Sequence, residues 1–297
     1  MAKRINRVVE LLEQGQPLYN AGAHELSYEN GKAMASTWAD YIGVEMEHGS
    51  FDMSALDEFM RGLVDGGPTP SGHRTPPVIM TIPTDGTNED VVRANAWMMK
   101  QALARGIHGI LLCHAETSGA VQAFVESCRY PFQTIGVGDG LGVGRRGGGG
   151  QRGAAHIWGV EPDEYMKLAD PWPLNPDGEL FLGLKLENKR SLANCEECAA
   201  VPGIAFAEWG PGDMGLSFGY ADAHDPPYPD DMDAARLRVK AALDASGAAF
   251  LCGWNDFTIS VEDRVNKLMG DGVKILSGVG EEGAAIGRKM TGRTMSV

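Results

Sequence analysis

The feature that most constrains the fold is a repeated alternation of short apolar runs with segments of helical pattern. Runs with the length and composition of buried strands occur at residues 17–23, 41–46, 77–82, 107–113, 180–186, 203–208, 248–252 and 273–276. Helical spacing of apolar residues is found between them at 55–63, 88–105, 118–127, 188–200, 232–245 and 261–269. Alternating strands and helices form parallel sheets, and this number of units favours closure over an open sheet. The sequence therefore predicts an α/β protein with the (β/α)8 TIM-barrel fold.

Two segments interrupt the alternation, and both have regular units on either side. A glycine-rich stretch at about residues 136–153 is predicted to be a mobile loop, and a proline-rich connection at 170–176 precedes the fifth strand. Gly142, Gly144 and Gly147 match a dinucleotide-binding spacing, but no strand runs straight into a helix across them, so this interpretation is discounted. We expect one barrel domain over residues 1–297.

The charge balance and the apolar pattern limit the partners. The formal net charge is −14, so the average field repels nucleic-acid phosphates and anionic membrane surfaces. No apolar run approaches the roughly 20 residues that cross a bilayer, and the amino terminus lacks a secretory apolar core. The five cysteines, Cys195 and Cys198 on one predicted helix among them, are typical of reduced thiols. We expect a cytoplasmic protein that binds small molecules rather than nucleic acid or membrane.

Three predicted strands end in unusually polar segments, at residues 45–49, 185–187 and 210–214. In a barrel of this kind the catalytic groups lie at the carboxyl ends of the strands. Lys185 and Glu187 are two residues apart, so both side chains face the barrel interior if either does. These three strand ends are therefore the candidate active site.

At this point the chain resembles the class II pyruvate aldolases, the family of 4-hydroxy-2-oxoheptanedioate aldolase and 2-dehydro-3-deoxyglucarate aldolase, to which macrophomate synthase is related. The matching motifs are EHG at 47–49, RYP at 129–131 ahead of GVG at 136–138, LKLE at 184–187 and GPGDMGLS at 210–217. The resemblance implies a divalent cation, Mg²⁺ or Mn²⁺, as cofactor, with a 2-oxo acid and an aldehyde as small-molecule partners. It also implies a homo-oligomer, which is a hexamer in that family.

The resemblance assigns the metal ligands to Glu187 and Asp213. Two hard carboxylates that leave positions open for water and substrate suit a hard or borderline cation that chelates a 2-oxo acid. It also implies that His48 is a general base oriented by the acidic residue three positions earlier, which is Glu45 here. Histidine titrates near neutrality, and a carboxylate partner raises its basicity. The backbone around Gly212 is expected to bind the substrate carboxylate beside Asp213, because glycine allows close approach.

The sequence departs from the usual family residues at Thr81, Lys185 and His114. An arginine usual at the end of the third strand is replaced by Thr81, and a usual glutamine is replaced by Lys185. Three interpretations of Lys185 remain open: it supplies the missing cation to the substrate, it forms an imine, or it is an inert salt-bridge partner of Glu187. His114 lies where the family usually has an apolar residue, and it either contacts substrate or is a hydrogen-bonded strand-end histidine.

The function that these residues predict is a carbon–carbon lyase, an aldolase that cleaves or forms 4-hydroxy-2-oxo acids through a metal-bound pyruvate enolate. Three alternatives are left open. The chain could be a 2-oxo acid decarboxylase, an aldolase that works through an imine at Lys185, or a non-catalytic metabolite-binding barrel.

Overall fold

The computed structural model describes residues 4–293, in which parallel strands alternate with helices. The strands are β1 (Leu18–Ala23), β2 (Tyr41–Glu45), β3 (Val78–Asp85), β4 (Gly109–Cys113), β5 (Pro171–Trp172), β6 (Leu180–Lys185), β7 (Phe206–Glu208), β8 (Ala249–Gly253) and β9 (Ile275–Ser277). The helices are α1 (Arg7–Glu13), α2 (Tyr28–Met34), α3 (Met53–Asp65), α4 (Glu89–Ala94), α5 (Ala96–Ala104), α6 (Ser118–Cys128), α7 (Gln151–Trp158), α8 (Pro162–Leu168), α9 (Lys189–Ala193), α10 (Cys195–Ala199), α11 (Pro211–Phe218), α12 (Asp230–Ser246), α13 (Val261–Gly270) and α14 (Gly280–Met290).

The strands close into a barrel. Their order is β4-β3-β2-β1-β9-β8-β7-β6, and β4 pairs with β6 to complete the ring. The short strand β5 lies in the proline-rich connection and pairs only with the start of β6, in the register Pro171 to Leu180. Every predicted strand is present, so the (β/α)8 prediction is confirmed.

The helices differ from the prediction in two ways. The segments predicted as continuous helices at 88–105 and 188–200 are each divided, at Asn95 and Asn194, whose backbones leave the helical region. Each asparagine amide donates to a carbonyl, that of Val91 and that of Glu116. Such side chains compete with the backbone bonds of a helix, which explains both breaks. The short helices α2, α7, α8, α11 and α14 were not predicted.

The glycine-rich stretch is irregular as predicted, but it ends earlier, because α7 begins at Gln151. Gly150 precedes that helix with φ +72°, a conformation that glycine adopts without strain. The backbone N–H of Gly142 donates to Glu126, and the buried Arg146 donates to the hydroxyl of Tyr165 at 2.6 Å. These contacts anchor the stretch to α6 and α8, and its mobility stays a prediction.

Helix α1 covers the amino-terminal end of the barrel. Val8 and Leu11 are fully buried against the lower interior, where Phe181 and Phe206 stack with their ring centroids 4.5 Å apart. Gly183 makes room for this stack, since a Cβ there would lie 2.3 Å from the Phe206 ring. The carboxyl ends of the strands are left as the open end. Within residues 4–293 none of the helices has the length and apolar character needed to cross a bilayer.

Candidate active site

Four strands bring ligand-type side chains together at the open end of the barrel. Glu47 follows β2, His114 follows β4, Glu187 follows β6, and Asp213 lies in the first turn of α11 after β7. One nitrogen or oxygen of each of these residues lies within 4.8 Å of those of the other three. The structure thus brings together Glu187 and Asp213, the predicted metal pair, and adds Glu47 and His114 to them.

Glu187 is the most deeply buried member of this cluster, with its side chain fully enclosed. Its Oε1 accepts the backbone N–H of His114 at 3.3 Å, and its Oε2 lies 3.0 Å from the ammonium of Lys185. A Cβ at Gly210 would lie 2.5 Å from that Oε2, so glycine is what allows the carboxylate to lie against this loop. Burial raises the pKa of Glu187 to about 8 despite the neighbouring lysine. A cation that replaced the proton would relieve this cost.

His114 is held in a strained backbone conformation. Its φ of +43° is in the left-handed region, where no other residue except glycine lies among the described residues. Asn188 Nδ2 lies 3.2 Å from the imidazole Nδ1, and Nε2 lies 3.7 Å from Glu47. Strain of this kind persists where the surroundings hold a side chain for a purpose. The apolar residue that the family usually has here would make none of these polar contacts.

Lys185 is buried beneath the cluster and bridges two of its carboxylates. Its ammonium lies 2.5 Å from Glu47 Oε2 and 3.0 Å from Glu187 Oε2. Burial alone would lower the pKa of Lys185, but the charges of Glu187 and Glu208 and the hydrogen bond to Glu47 outweigh it and raise the pKa. The contacts with two carboxylates favour the ammonium form of Lys185.

The predicted orientation of His48 by Glu45 is wrong in its geometry. Glu45 Oε1 accepts the backbone N–H groups of Glu47 and His48, at 2.5 and 3.2 Å, rather than contacting the imidazole. The ring instead lies with Nε2 3.6 Å from Glu47 Oε2, and its side chain is 70% exposed. A carboxylate next to the turn is satisfied more easily by nearby backbone donors than by a ring that points to solvent. Glu45 shapes the loop, and Glu47 is the carboxylate beside His48.

Gly212 and Asp213 lie in the first turn of α11, which begins at Pro211. The backbone N–H groups of a first helical turn have no partner within the helix, and the helix dipole favours negative charge there. His224 packs close to Gly212, because a Cβ at that position would lie 2.8 Å from the imidazole. The turn thus combines a carboxylate with backbone donors, and binding of a substrate carboxylate at Gly212 stays a prediction.

Thr81 and Glu208 face the barrel interior just below the cluster. Thr81 pairs in register with Glu45, and Glu208 pairs with Lys185. Both line a cavity of about 200 Å³ in the upper barrel. Glu47 and Glu208 were not among the residues predicted to act in the site. The EHG motif could have indicated Glu47, whereas Glu208 becomes visible only through its register with Lys185.

The charges of the cluster favour a divalent cation. Glu47, Glu187 and Asp213 are carboxylates, and Lys185 is the ammonium that contacts two of them. Carboxylate oxygens with one imidazole are suitable ligands for Mg²⁺ or Mn²⁺, and the excess of negative charge attracts such a cation. The residues therefore fit the metal that the family resemblance implies.

Comparisons with known proteins agree with this description. The chain is 26% identical over 249 residues to a hydroxypyruvate/pyruvate aldolase of Roseobacter denitrificans, covering 84% of this chain and 82% of that protein. A protein of the HpcH/HpaI aldolase/citrate lyase family from Burkholderia cenocepacia superposes with a TM-score of 0.70, at 22% identity over 91% of each chain. Macrophomate synthase gives a TM-score of 0.65 at 20% identity, over 92% of this chain and 82% of its own. No protein-family profile matches the sequence.

The solved structures share the (β/α)8-barrel fold of this chain. The sequence similarity and the EHG, LKLE and GPGD motifs indicate a narrower group of proteins than the fold does. The chain is therefore similar to the class II pyruvate aldolases in sequence as well as in fold.

Proposed function

We propose that this protein is a metal-dependent aldehyde-lyase that forms or cleaves 4-hydroxy-2-oxo acids with a pyruvate-type donor. The observation that carries the proposal is the cluster of Glu47, His114, Glu187 and Asp213 at the open end of the barrel. Aldolase names among the relatives support the same reaction class.

The proposed metal ligands are Glu187 and Asp213, with Glu47 and His114 close enough to ligate or to hold water. When bound, a divalent cation supplies Lewis-acid polarisation of the keto group and stabilises the negative charge that develops on it. The first-turn backbone N–H groups at Gly212 and Asp213 are placed to receive the substrate carboxylate.

Lys185 is proposed to supply the positive charge that Thr81 does not. Its ammonium lies among the site carboxylates rather than free, so it is not poised for imine formation. A 2-oxo acid that enters the site brings new oxygens within reach of the same ammonium, and charge-assisted hydrogen bonds of this kind are strong. We propose that Lys185 binds the substrate or stabilises its developing oxyanion.

His48 is proposed to move the proton of the reacting carbon. Its exposed ring can exchange protons with solvent, and Glu47 at 3.6 Å stabilises the imidazolium formed when Nε2 accepts the proton. Glu45 acts through the backbone by fixing the loop that carries His48 and Glu47. Glu45 is therefore a positioning residue.

The predictions of domain organisation, cellular location, oligomeric state and partners remain proposals. We propose that residues 1–297 act as one barrel domain within a cytoplasmic homo-oligomer whose partners are a 2-oxo acid and an aldehyde. The family resemblance supports the oligomer, a hexamer in that family. The compact cluster of carboxylate and imidazole groups at the strand ends supports small-molecule partners over macromolecular ones.

The test combines metal content with catalysis. Chelator-treated protein is assayed for retro-aldol release of pyruvate from a 4-hydroxy-2-oxo acid, with and without added Mg²⁺ or Mn²⁺. Activity should depend on the metal, and Glu187→Ala and Asp213→Ala should each remove bound metal measured by plasma spectrometry. Losing a ligand should lower kcat/KM by about 10³-fold or more, since several kcal/mol of charge stabilisation disappear.

Glu197→Gln is the control, because Glu197 is an exposed carboxylate on α10, remote from the strand ends. Full activity after metal removal, or unchanged metal content in both ligand variants, would overturn the proposal. Carbon dioxide release from oxaloacetate without any aldol reaction would favour the decarboxylase alternative. Binding of pyruvate without turnover would favour the non-catalytic one.

A further inference from the structure

The upper interior of the barrel holds a cavity to which the proposed chemistry assigns no role. It measures about 200 Å³, several times the volume that one water molecule takes up in the liquid. Its walls include the last residues of three strands, Glu45, Glu208 and Ser277, together with Thr81. The cavity therefore lies directly below the cluster of proposed metal ligands.

Two glycines keep this space open. A Cβ added at Gly22 would have its nearest neighbour 3.6 Å away, and one at Gly43 would have its nearest neighbour at 3.8 Å. Those are ordinary contact distances, so packing does not exclude a side chain at either position. The missing side chains leave volume in a region that barrels usually fill with layers of side chains.

Glu208 faces this cavity without a partner. Its carboxylate makes no hydrogen bond and no ion pair with residues 4–293, whereas Glu47 and Glu187 both contact the neighbouring Lys185. The side chain of Glu208 is half-buried and lines the cavity. A buried carboxylate without a donor is costly, so a polar group that enters the cavity is expected to donate to it.

The sign of the charge in the cavity restricts that group. Glu45 and Glu208 both line it, and the ammonium of Lys185 acts on Glu208 electrostatically against three carboxylates, those of Glu45, Glu47 and Asp213, which leaves an excess of negative charge. A second carboxylate on the substrate would be repelled there, whereas an uncharged hydroxyl would donate a charge-assisted hydrogen bond. Thr81 gives the same preference, because the arginine that would attract an anion is absent from this wall.

We infer that Glu208 is a specificity-determining residue that accepts a hydrogen bond from a hydroxyl group of the substrate. The hydroxyl is carried either by C3 of the 2-oxo acid or by the carbon next to the aldehyde. This inference rests on the proposed aldolase function and adds to it the residue that sets the preference among substrates. The protein would select hydroxylated, uncharged partners over those with an extra carboxylate.

The test uses two substrate pairs that differ by one hydroxyl. Pyruvate is compared with hydroxypyruvate as donor, and acetaldehyde is compared with glycolaldehyde as acceptor. For each pair the ratio of kcat/KM values is measured in the metal-loaded parent, in Glu208→Gln and in Glu208→Leu. Because each ratio is compared between variants, differences in the intrinsic reactivity of the compounds cancel. The donor pair tests a hydroxyl on the 2-oxo acid, and the acceptor pair tests a hydroxyl on the aldehyde.

Glu208→Leu should reduce the preference for the hydroxylated member of at least one pair by about 10- to 100-fold, since a hydrogen bond to a charged group is lost. Glu208→Gln keeps an acceptor and should reduce it less. With glyoxylate, an aldehyde that carries a carboxylate, Glu208→Gln should raise kcat/KM relative to acetaldehyde. The control is Glu179→Gln, which alters a buried carboxylate at the amino-terminal end and should leave every ratio unchanged.

Ratios that stay at the parent value in both Glu208 variants, with the parent active, would overturn the inference and leave the aldolase proposal standing. A parent that turns over none of the pairs would overturn the aldolase proposal. Calorimetric binding of pyruvate and hydroxypyruvate to the same variants then decides the role of Glu208. Equal affinities for the two acids in the parent, together with an acetaldehyde to glycolaldehyde ratio that does not change in either Glu208 variant, would contradict it.

Discussion

The two ends of the barrel manage buried charge in opposite ways. At the amino-terminal end, Asn6 caps α1 and donates to the carbonyl of Glu179, and the Glu179 carboxylate accepts the backbone N–H of Asn6 at 2.9 Å. His73 lies 3.2 Å from Glu10 there. At the carboxyl end, the ammonium of Lys185 contacts two carboxylates, and the carboxylate of Glu208 has no hydrogen-bond or ion-pair partner among the described residues. Paired polar groups stabilise one end, whereas unmatched charge at the other keeps a site ready for a ligand.

The largest effect on activity is expected from removal of the proposed base, His48, at the carboxyl end of the barrel. His48→Ala should preserve the fold and the bound metal but slow exchange of the pyruvate methyl protons into D₂O by about 10²- to 10⁴-fold. Glu45→Gln should slow it less, because it loosens the loop without removing the proton acceptor. His156→Ala, an exposed histidine on α7, is the control. Exchange at the parent rate in His48→Ala would remove His48 from the mechanism.

The next largest effect is expected at Lys185. Lys185→Gln restores the residue usual in the family and should lower kcat/KM for the 2-oxo acid by about 10- to 100-fold while metal binding is kept, since one charge-assisted contact is lost. Adding Thr81→Arg should recover part of this loss, because the cation returns from the third strand. Lys32→Gln, at an exposed position on α2, provides the comparison. Parent-like kinetics in Lys185→Gln would make the lysine structural.

The amino-terminal end should respond in stability rather than in turnover. Asn6 is fully buried, accepts the N–H of Val8 and donates to the carbonyls of Glu179 and His108. Asn6→Ala should lower the free energy of unfolding by about 1–3 kcal/mol, through the lost cap and hydrogen bonds. Denaturant unfolding measures this loss, and kcat/KM should stay within about twofold of the parent. A large loss of turnover in a folded variant would mean that the two ends are coupled.

The barrel could be predicted from the sequence because its strands are continuous apolar runs, and Glu187 and Asp213 because they follow two of those strands. The contacts that individual side chains make were harder to predict from the sequence. The roles of Glu45 and Glu47 depend on which way the loop after β2 turns, since both residues are within reach of His48 along the chain. The positive φ of His114 and the pairing of Glu208 with Lys185 depend on tertiary packing and strand register. Helices α7 and α11 were missed because glycine and proline obscure their short patterns.

We propose that the buried carboxylates at the carboxyl end of the barrel lower the stability of the metal-free protein and favour the binding of a cation. The substitution Glu187→Gln tests this proposal most directly. Burial raises the pKa of Glu187 from 4.5 to about 8. The native state therefore binds more protons than the unfolded state across this window, and the metal-free parent should lose stability as the pH rises through it, by up to about 1.4 kcal/mol per pH unit.

The measurement is the free energy of unfolding at pH 7, in chelator and then in excess Mn²⁺, for the parent and for Glu187→Gln. Gln resembles the protonated acid, so we predict that the metal-free variant is at least as stable as the metal-free parent. The variant should also lose the stabilisation that Mn²⁺ gives the parent. A variant that is less stable than the parent in chelator, yet gains the same stability from Mn²⁺, would contradict the account.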